Sequence, residues 1–319
     1  MTPHPAPQVE DPPVLHPTDT SGRLSAETLR AGDGREVFVC TTEPEDGACV
    51  GDVVLVPPYG MAVPDLFLPA HHLAHNGFRV TRFDARDSVG RSAGQIADYR
   101  LSGVRADTEL VLDRLSGRTA SVVLVGLSLS APVVWRVAAT SPLVAGAATL
   151  VPVVDVPATL EAVTGDSVQR YRDGDPTAPR WQRIFGHDID AAPFIADMDT
   201  EGHRDLAATA ALLATVEVPV LAVAADGDEY VVLDDVREVA SACRAPFELT
   251  VVRGSSHEIG RSMRATRQAM AEVSRFCLAT VGATRDVREP ALAEVIAASE
   301  RENRDLQAYA QAQTSGGQQ

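Results

Sequence analysis

The chain has 319 residues, 45% of them hydrophobic, enough to bury the core of one large α/β domain or two small ones. A formal net charge of −16 argues against binding nucleic acid or an anionic membrane surface. No apolar run approaches the ~20 residues of a membrane span, and no basic-then-apolar leader marks a signal peptide. Four cysteines (Cys40, Cys49, Cys243, Cys277) lack paired spacing, so a cytoplasmic chain with reduced thiols is expected.

Residues 1–22, rich in Pro, Asp and Thr, lack periodicity and read as a disordered leader. Two β-rich stretches, Leu24–Ala31 and Glu36–Thr42, flank Gly32-Asp33-Gly34 and predict a hairpin. Asp52–Val56 is a buried strand ending at Pro57-Pro58-Tyr59-Gly60. Pro69–Asn76 is a helix stopped by Gly77, and Phe78–Phe83 is the next strand. The glycine-bearing loop Asp84–Gly94 lacks the lysine and spacing of a phosphate loop and is expected to shape the rim of a site. A helix over Val104–Leu115 leads into the strand Val122–Val125, and Ala145–Pro152 follows as another strand.

Residues 154–212 break this alternation. They hold helical fragments, Pro176, Pro179 and scattered aromatics (Tyr171, Trp181, Phe185, Phe194), and read as an inserted helical lid whose aromatics could line a tunnel. The sheet resumes at Pro219–Ala225 and Glu248–Val252. Arg261–Thr280 is an amphipathic helix, Glu289–Ala310 a terminal helix of alternating charge, and the tail from 313 is expected to fray. The predicted organisation is therefore a core over 23–153, the insertion over 154–212, and the rest of the core with its C-terminal helix over 213–312. Its fold class is α/β, with a mostly parallel central sheet flanked by helices.

The chemistry concentrates at Gly126-Leu127-Ser128-Leu129-Ser130, where a buried strand turns sharply into a helix. This is close to the Gly-x-Ser-x-Gly nucleophile elbow, with Ser130 in place of the second glycine. A serine hydroxyl needs a base to take its proton, and the base needs an acid to orient it. Asp228 follows the strand at 219–223 and His257 follows the strand at 248–252, so Ser128, Asp228 and His257 stand in the chain order of α/β-hydrolases. Asp226 and Glu229 are rival acids, disfavoured by spacing. Ser130 is a rival nucleophile but sits where a hydroxyl caps a helix. Tyr59 and Leu129 are the expected N–H donors to an oxyanion, since Pro58 has no N–H to give. His71 and His75 lie one helical turn apart, with His72 beside them. No third ligand with a suitable environment accompanies them, so a helix surface is expected rather than a metal. No cofactor is called for.

Several segments resemble the acyltransferases of bacterial bioluminescence, the myristoyl-acyl-carrier-protein thioesterase family. They are Ser128-Leu129-Ser130-Ala131, Asn76-Gly77-Phe78, Val89-Gly90-Arg91-Ser92 after Asp84, Gly254-Ser255-Ser256-His257, Asp228-Glu229-Tyr230-Val231 and Glu289-Pro290. The resemblance covers residues ~26 to 310. It implies a serine enzyme that moves an acyl group from a thioester on carrier protein or coenzyme A, through an ester on Ser128, to water or another acceptor. The alternatives are a general carboxylester hydrolase and a catalytically silent binding protein. Docking an acidic carrier would need a basic patch. Arg261, Arg264 and Arg275 are candidates, although a solvated helix face explains them as well.

Overall fold

The computed structural model describes residues 24–44 and 47–316. The expected leader over 1–22 and the last three residues of the tail lie outside them. Strands β1 (Leu24–Arg30) and β2 (Glu36–Thr42) form the predicted hairpin. Then come β3 (Gly51–Val56), α1 (Phe67–His75), β4 (Phe78–Phe83), α2 (Leu101–Leu115), β5 (Val122–Leu127), α3 (Ala131–Thr140) and β6 (Val144–Leu150). After a long excursion the sheet is completed by β9 (Val220–Ala225), α8 (Leu233–Ala242), β10 (Phe247–Val252) and α9 (Met263–Thr280).

The eight strands lie in the order β1-β2-β4-β3-β5-β6-β9-β10; β2 runs antiparallel to both its neighbours, β1 and β4, and the other pairs are parallel. Parallel strands buried on both faces read as unbroken valine-rich runs, which is why they stand out in the sequence. Their side chains alternate between two cores. Val54, Val56, Val122 and Leu124 join α2, α3 and α8 on one face. Val53, Leu55, Val123 and Val125 join α1 and α9 on the other.

The excursion between β6 and β9 contains α4 (Val156–Thr164), α5 (Val168–Arg172), a two-stranded hairpin of β7 (Trp181–Ile184) and β8 (His187–Asp190), α6 (Ala191–Thr200) and α7 (Leu206–Leu213). The hairpin was not expected among helical fragments. Its strands have four residues each, and its turn is Phe185-Gly186, both at positive φ. Helix α10 (Leu292–Gly316) runs past the expected end at 312. Its Glu302 reaches the fully buried Arg82 of β4.

Two expectations are corrected here. His71 and His72 are buried rather than on a helix surface. α1 packs on the sheet beside α9, and His72 Nδ1 lies 2.9 Å from Ser274 Oγ. Burial and, secondarily, the neighbouring His75 and His71 lower the His72 pKa to about 4. Arg261 lies in a short turn (Ile259–Arg261) before α9, so it does not share that helix with Arg264. Arg261 pairs with Glu258, and Arg275 pairs with Glu248 and Glu272, which neutralises most of the expected basic patch.

Candidate active site

Strand β5 ends in an abrupt turn. Ser128 adopts φ 49°, left-handed backbone that a non-glycine residue occupies only when its surroundings hold it there. The turn requires close approach of strand and helix. A Cβ on Gly126 would stand 2.6 Å from Val134 Cγ2 and 2.9 Å from Ser130 Oγ. Ser130 is fully buried, and its Oγ accepts the Leu127 N–H at 2.8 Å. It lies 3.1 Å from the Val56 carbonyl and 2.8 Å from that of Leu127, to which it can donate. Its hydroxyl is therefore spent on backbone, tying the end of β5 to the end of β3.

Ser128 Oγ lies 2.7 Å from His257 Nε2. His257 Nδ1 lies 2.8 Å from Asp228 Oδ2. The other carboxylate oxygen of Asp228 accepts the N–H groups of Tyr230 and Val231 at 2.9 and 3.0 Å, which fixes its orientation. The His257 and Asp228 side chains are 7% and 4% exposed, so the pair sits largely out of water. The two rival acids have other partners. Asp226 accepts the Gly254 N–H at 2.7 Å, and Glu229 accepts the His257 backbone N–H at 3.1 Å. Both thereby clamp the loop that carries the imidazole. Gly227 lets the two loops meet, because a Cβ there would stand 2.9 Å from the Ser255 carbonyl oxygen.

Tyr59 and Leu129 both line a recess of about 40 Å³ with Ser128 and His257. Tyr59 comes from the loop after β3, and Leu129 follows Ser128 at the start of a helix, where backbone N–H groups lack partners within the helix. The Tyr59 ring packs edge-on against Tyr99, and burial, followed by the nearby Asp188 charge, pushes its phenol pKa up to about 12. The recess is closed by Val156, Thr159, Leu160 and Val163 of α4 and by Ile184. A broader, mostly apolar groove of about 520 Å³ opens on the other side of Ser128, between Pro58–Met61, Leu68, Ile259 and Met270. Phe185 borders both spaces.

Other expectations about the site are met unevenly. None of residues 84–94 lines the recess or the groove. Asp84 instead accepts the Val63 N–H at 2.6 Å and the Arg91 N–H at 2.7 Å, bracing the loop that follows β3. Of the four aromatics expected in a tunnel, only Phe185 reaches Ser128. Tyr171 and Phe194 line a separate 20 Å³ cavity, and Trp181 packs under Arg180. Sequence reasoning missed His187, which also borders the groove. Its ring sits against Gly60, where a Cβ would stand 3.2 Å from His187 Cδ2. Among the described residues no group of three His, Cys, Asp or Glu side chains could hold a metal, and no helix is long and apolar enough to cross a membrane.

Residues 25–309 match the family described as acyl transferase. An acyl transferase of Photobacterium leiognathi is 30% identical over 237 residues, covering 73% of this chain and 74% of the relative. One from Vibrio harveyi is 27% identical over 267 residues, covering 82% and 86%. Among solved structures, Est1E from Butyrivibrio proteoclasticus with bound ferulic acid superposes with a TM-score of 0.67 at 16% identity, covering 81% of this chain and 100% of that one. A monoacylglycerol lipase of Paleococcus ferrophilus gives 0.58 at 17% identity, covering 81% and 99%. These neighbours are α/β-hydrolases, and that is the fold of this chain.

Proposed function

Because this chain belongs to the acyl transferase family, we propose that it takes an acyl group from a thioester on carrier protein or coenzyme A and passes it, through an ester on Ser128, to water or another acceptor. The observation that carries this reading is the unbroken Asp228–His257–Ser128 hydrogen-bond chain beside an apolar recess and groove.

In the first half-reaction His257 Nε2 takes the Ser128 proton as Oγ attacks the thioester carbonyl carbon. The carbonyl oxygen becomes an oxyanion held by the Tyr59 and Leu129 N–H groups, and losing one such donor costs on the order of 100-fold or more in rate. Asp228 keeps the Nδ1 proton in place and stabilises the imidazolium. The carbon–sulfur bond then breaks, and the thiolate leaves with the proton from His257. In the second half His257 takes a proton from the acceptor, whose oxygen (or nitrogen) attacks the acyl-Ser128 ester, and returns that proton to Ser128 Oγ. The residues between β6 and β9 act as the lid over this site.

Intact-mass detection of an acyl adduct after exposure to acyl thioesters tests the reading. Wild type should gain one acyl mass and Ser128→Ala none. Equal labelling of the two, or no adduct on either, would defeat it. Thioesters compared with p-nitrophenyl esters of the same acyl group identify the donor. A strong preference for the oxygen ester would make the protein a carboxylester hydrolase. A protein that labels with neither, nor with a fluorophosphonate, would be a silent binding relative.

A further inference from the structure

The loop that presents Tyr59 leaves β3 at Val56 and enters α1 at Phe67. Its first residues are tied loosely: the Met61 N–H reaches the Pro58 carbonyl at 3.4 Å, and the Tyr59 hydroxyl reaches the His187 carbonyl at 3.5 Å. Packing on Tyr99 fixes the Tyr59 ring, but the direction of its N–H is set by the backbone on either side. A firm hold comes at Val63, whose carbonyl and N–H are both taken by residues at the end of β4. Arg82 donates to the Val63 carbonyl at 3.0 Å, and Asp84 accepts the Val63 N–H at 2.6 Å.

Both grips lead to the C-terminal helix. The other arm of Arg82 donates to Glu302 of α10 and to Thr42 Oγ1 at 3.2 Å. Asp84 also accepts the Arg91 N–H at 2.7 Å, and the Arg91 guanidinium donates to the Leu306 carbonyl of α10 at 3.0 Å. Gly90, at φ 115°, lets this turn close, because a Cβ there would collide with the Asp84 carboxyl group. Arg82 is fully buried and Glu302 nearly so. A buried ion pair is a weak source of stability, since desolvating the charges offsets their attraction, and apolar residues could hold α10 on the sheet as well. Apolar residues cannot donate, however. The planar fork of a guanidinium fixes two acceptors relative to each other, here a carboxylate of α10 and a carbonyl of the Tyr59 loop.

From this linkage we infer that Arg82 is a positioning residue for acyl transfer: seated on Glu302 of α10, it holds Val63 and thereby aims the Tyr59 N–H at the oxyanion, so docking of the C-terminal helix is part of the active-site geometry. This role rests on the Ser128 mechanism and the Tyr59 donor proposed above, and deepens them.

Turnover of tetradecanoyl-coenzyme A and binding of an alkyl trifluoromethyl ketone test the role together. Ser128 Oγ adds to the ketone carbon, its proton passes to His257, and the ketone oxygen becomes an oxyanion facing the same donors. Affinity for the ketone therefore reports the aim of the Tyr59 N–H. Arg82→Met combined with Glu302→Leu replaces the ion pair by apolar side chains and leaves α10 seated. This double variant should melt within a few degrees of wild type. It should lose at least tenfold in kcat with KM within about twofold, and bind the ketone at least tenfold more weakly. Glu302→Gln still offers Arg82 an acceptor and should stay within about threefold of wild type on both readouts. A folded double variant with wild-type kcat overturns the role. So does a loss confined to KM, or a loss of kcat with ketone affinity unchanged, as a merely structural part would give. An equal loss in Glu302→Gln also overturns it, by showing that the charge matters and the Val63 bond does not. If the double variant does not fold, Arg82→Lys decides by the same readouts. Its ammonium keeps the charge pair but has no second arm for Val63, so the same losses are expected and wild-type values overturn the role. A wild type that neither turns over the thioester nor forms an adduct on Ser128 defeats the functional reading and this role with it, whereas an active wild type with unchanged variants defeats this role alone.

Discussion

Replacing Asp228 by Asn tests the orientation of the imidazole with little change in shape. The Tyr230 and Val231 N–H groups need an acceptor, which Asp228 Oδ1 now supplies. In the variant the amide oxygen keeps those two bonds, because turning the NH2 group toward two donors would leave all of them unpaired. The NH2 group must then face His257 Nδ1 at the position now held by Oδ2, 2.8 Å away. Nδ1 becomes an acceptor, the ring proton moves to Nε2, and Nε2 meets Ser128 Oγ as a donor that cannot take its proton. A rate loss on the order of 10⁴ follows, about 5.5 kcal/mol of transition-state stabilisation. Every backbone bond survives, so the urea midpoint should correspond to a loss of about 1 kcal/mol or less. Acyl-thioester turnover and urea unfolding, measured on one preparation, give both numbers. Asp226→Asn and Glu229→Gln retain acceptors for the Gly254 and His257 backbone N–H groups and should lose less than about tenfold. Retention of a tenth of the activity in Asp228→Asn, or an equal loss in Asp226→Asn, would refute this assignment of the acid.

Other perturbations probe the frame around the site. In Gly126→Ala the new methyl collides with Val134 and Ser130. Overpacking should cost about 1–3 kcal/mol in thermal unfolding, and displacement of the elbow about 100-fold in kcat/KM. An unaffected enzyme would show that strand and helix have room to spare. Burial lowers the pKa of His72 and of His203, the latter helped by the Arg136 charge, to about 4 each, from 6.5. Between pH 6.5 and 4 the unfolded chain binds protons that these folded imidazoles refuse. Their neutral packing is therefore not penalised above pH 6.5, and stability falls on acidification by up to about 1.4 kcal/mol per pH unit for each ring. Urea midpoints from pH 7 to 4 should show His72→Asn reducing that slope, and an unchanged slope would contradict the assignment. Glu302→Ala strands the buried Arg82 guanidinium. It should destabilise by about 3–5 kcal/mol in urea, whereas Glu302→Gln should cost less because it still offers an acceptor.

The sequence carried much of this architecture because parallel strands advertise themselves. Val53–Val56 and Val122–Val125 are apolar on both faces, and Ser128 and Asp228 each follow such a run, whereas His257 follows the half-buried edge strand Phe247–Val252. The elbow was legible from small residues at 126 and 130, where backbone and helix nearly touch. What failed to show was whatever depends on partners far along the chain. His71 and His72 look like surface residues until α10 packs beside the first and α9 beside the second. Of the three acids within residues 226–229, spacing favours Asp228 as the imidazole's partner, but the loop-clamping roles of Asp226 and Glu229 depend on Gly254 and His257 and do not show in the sequence. The β7–β8 hairpin hid because its strands are short and its turn uses a phenylalanine where turn chemistry asks for asparagine. Helix α8 went unread although its apolar Leu233, Val236, Val239 and Ala240 recur at helical spacing.

The excursion leaves the sheet after Leu150 and returns at Val220, on strands that are immediate neighbours, with Leu150 beside Val223. Its two ends are thus fixed side by side by ladder hydrogen bonds that do not depend on what lies between them. Enzymes of this architecture can therefore exchange, lengthen or trim that segment as a cassette, retuning what they accept while the hydroxyl and the imidazole, mounted on strands outside it, stay in step.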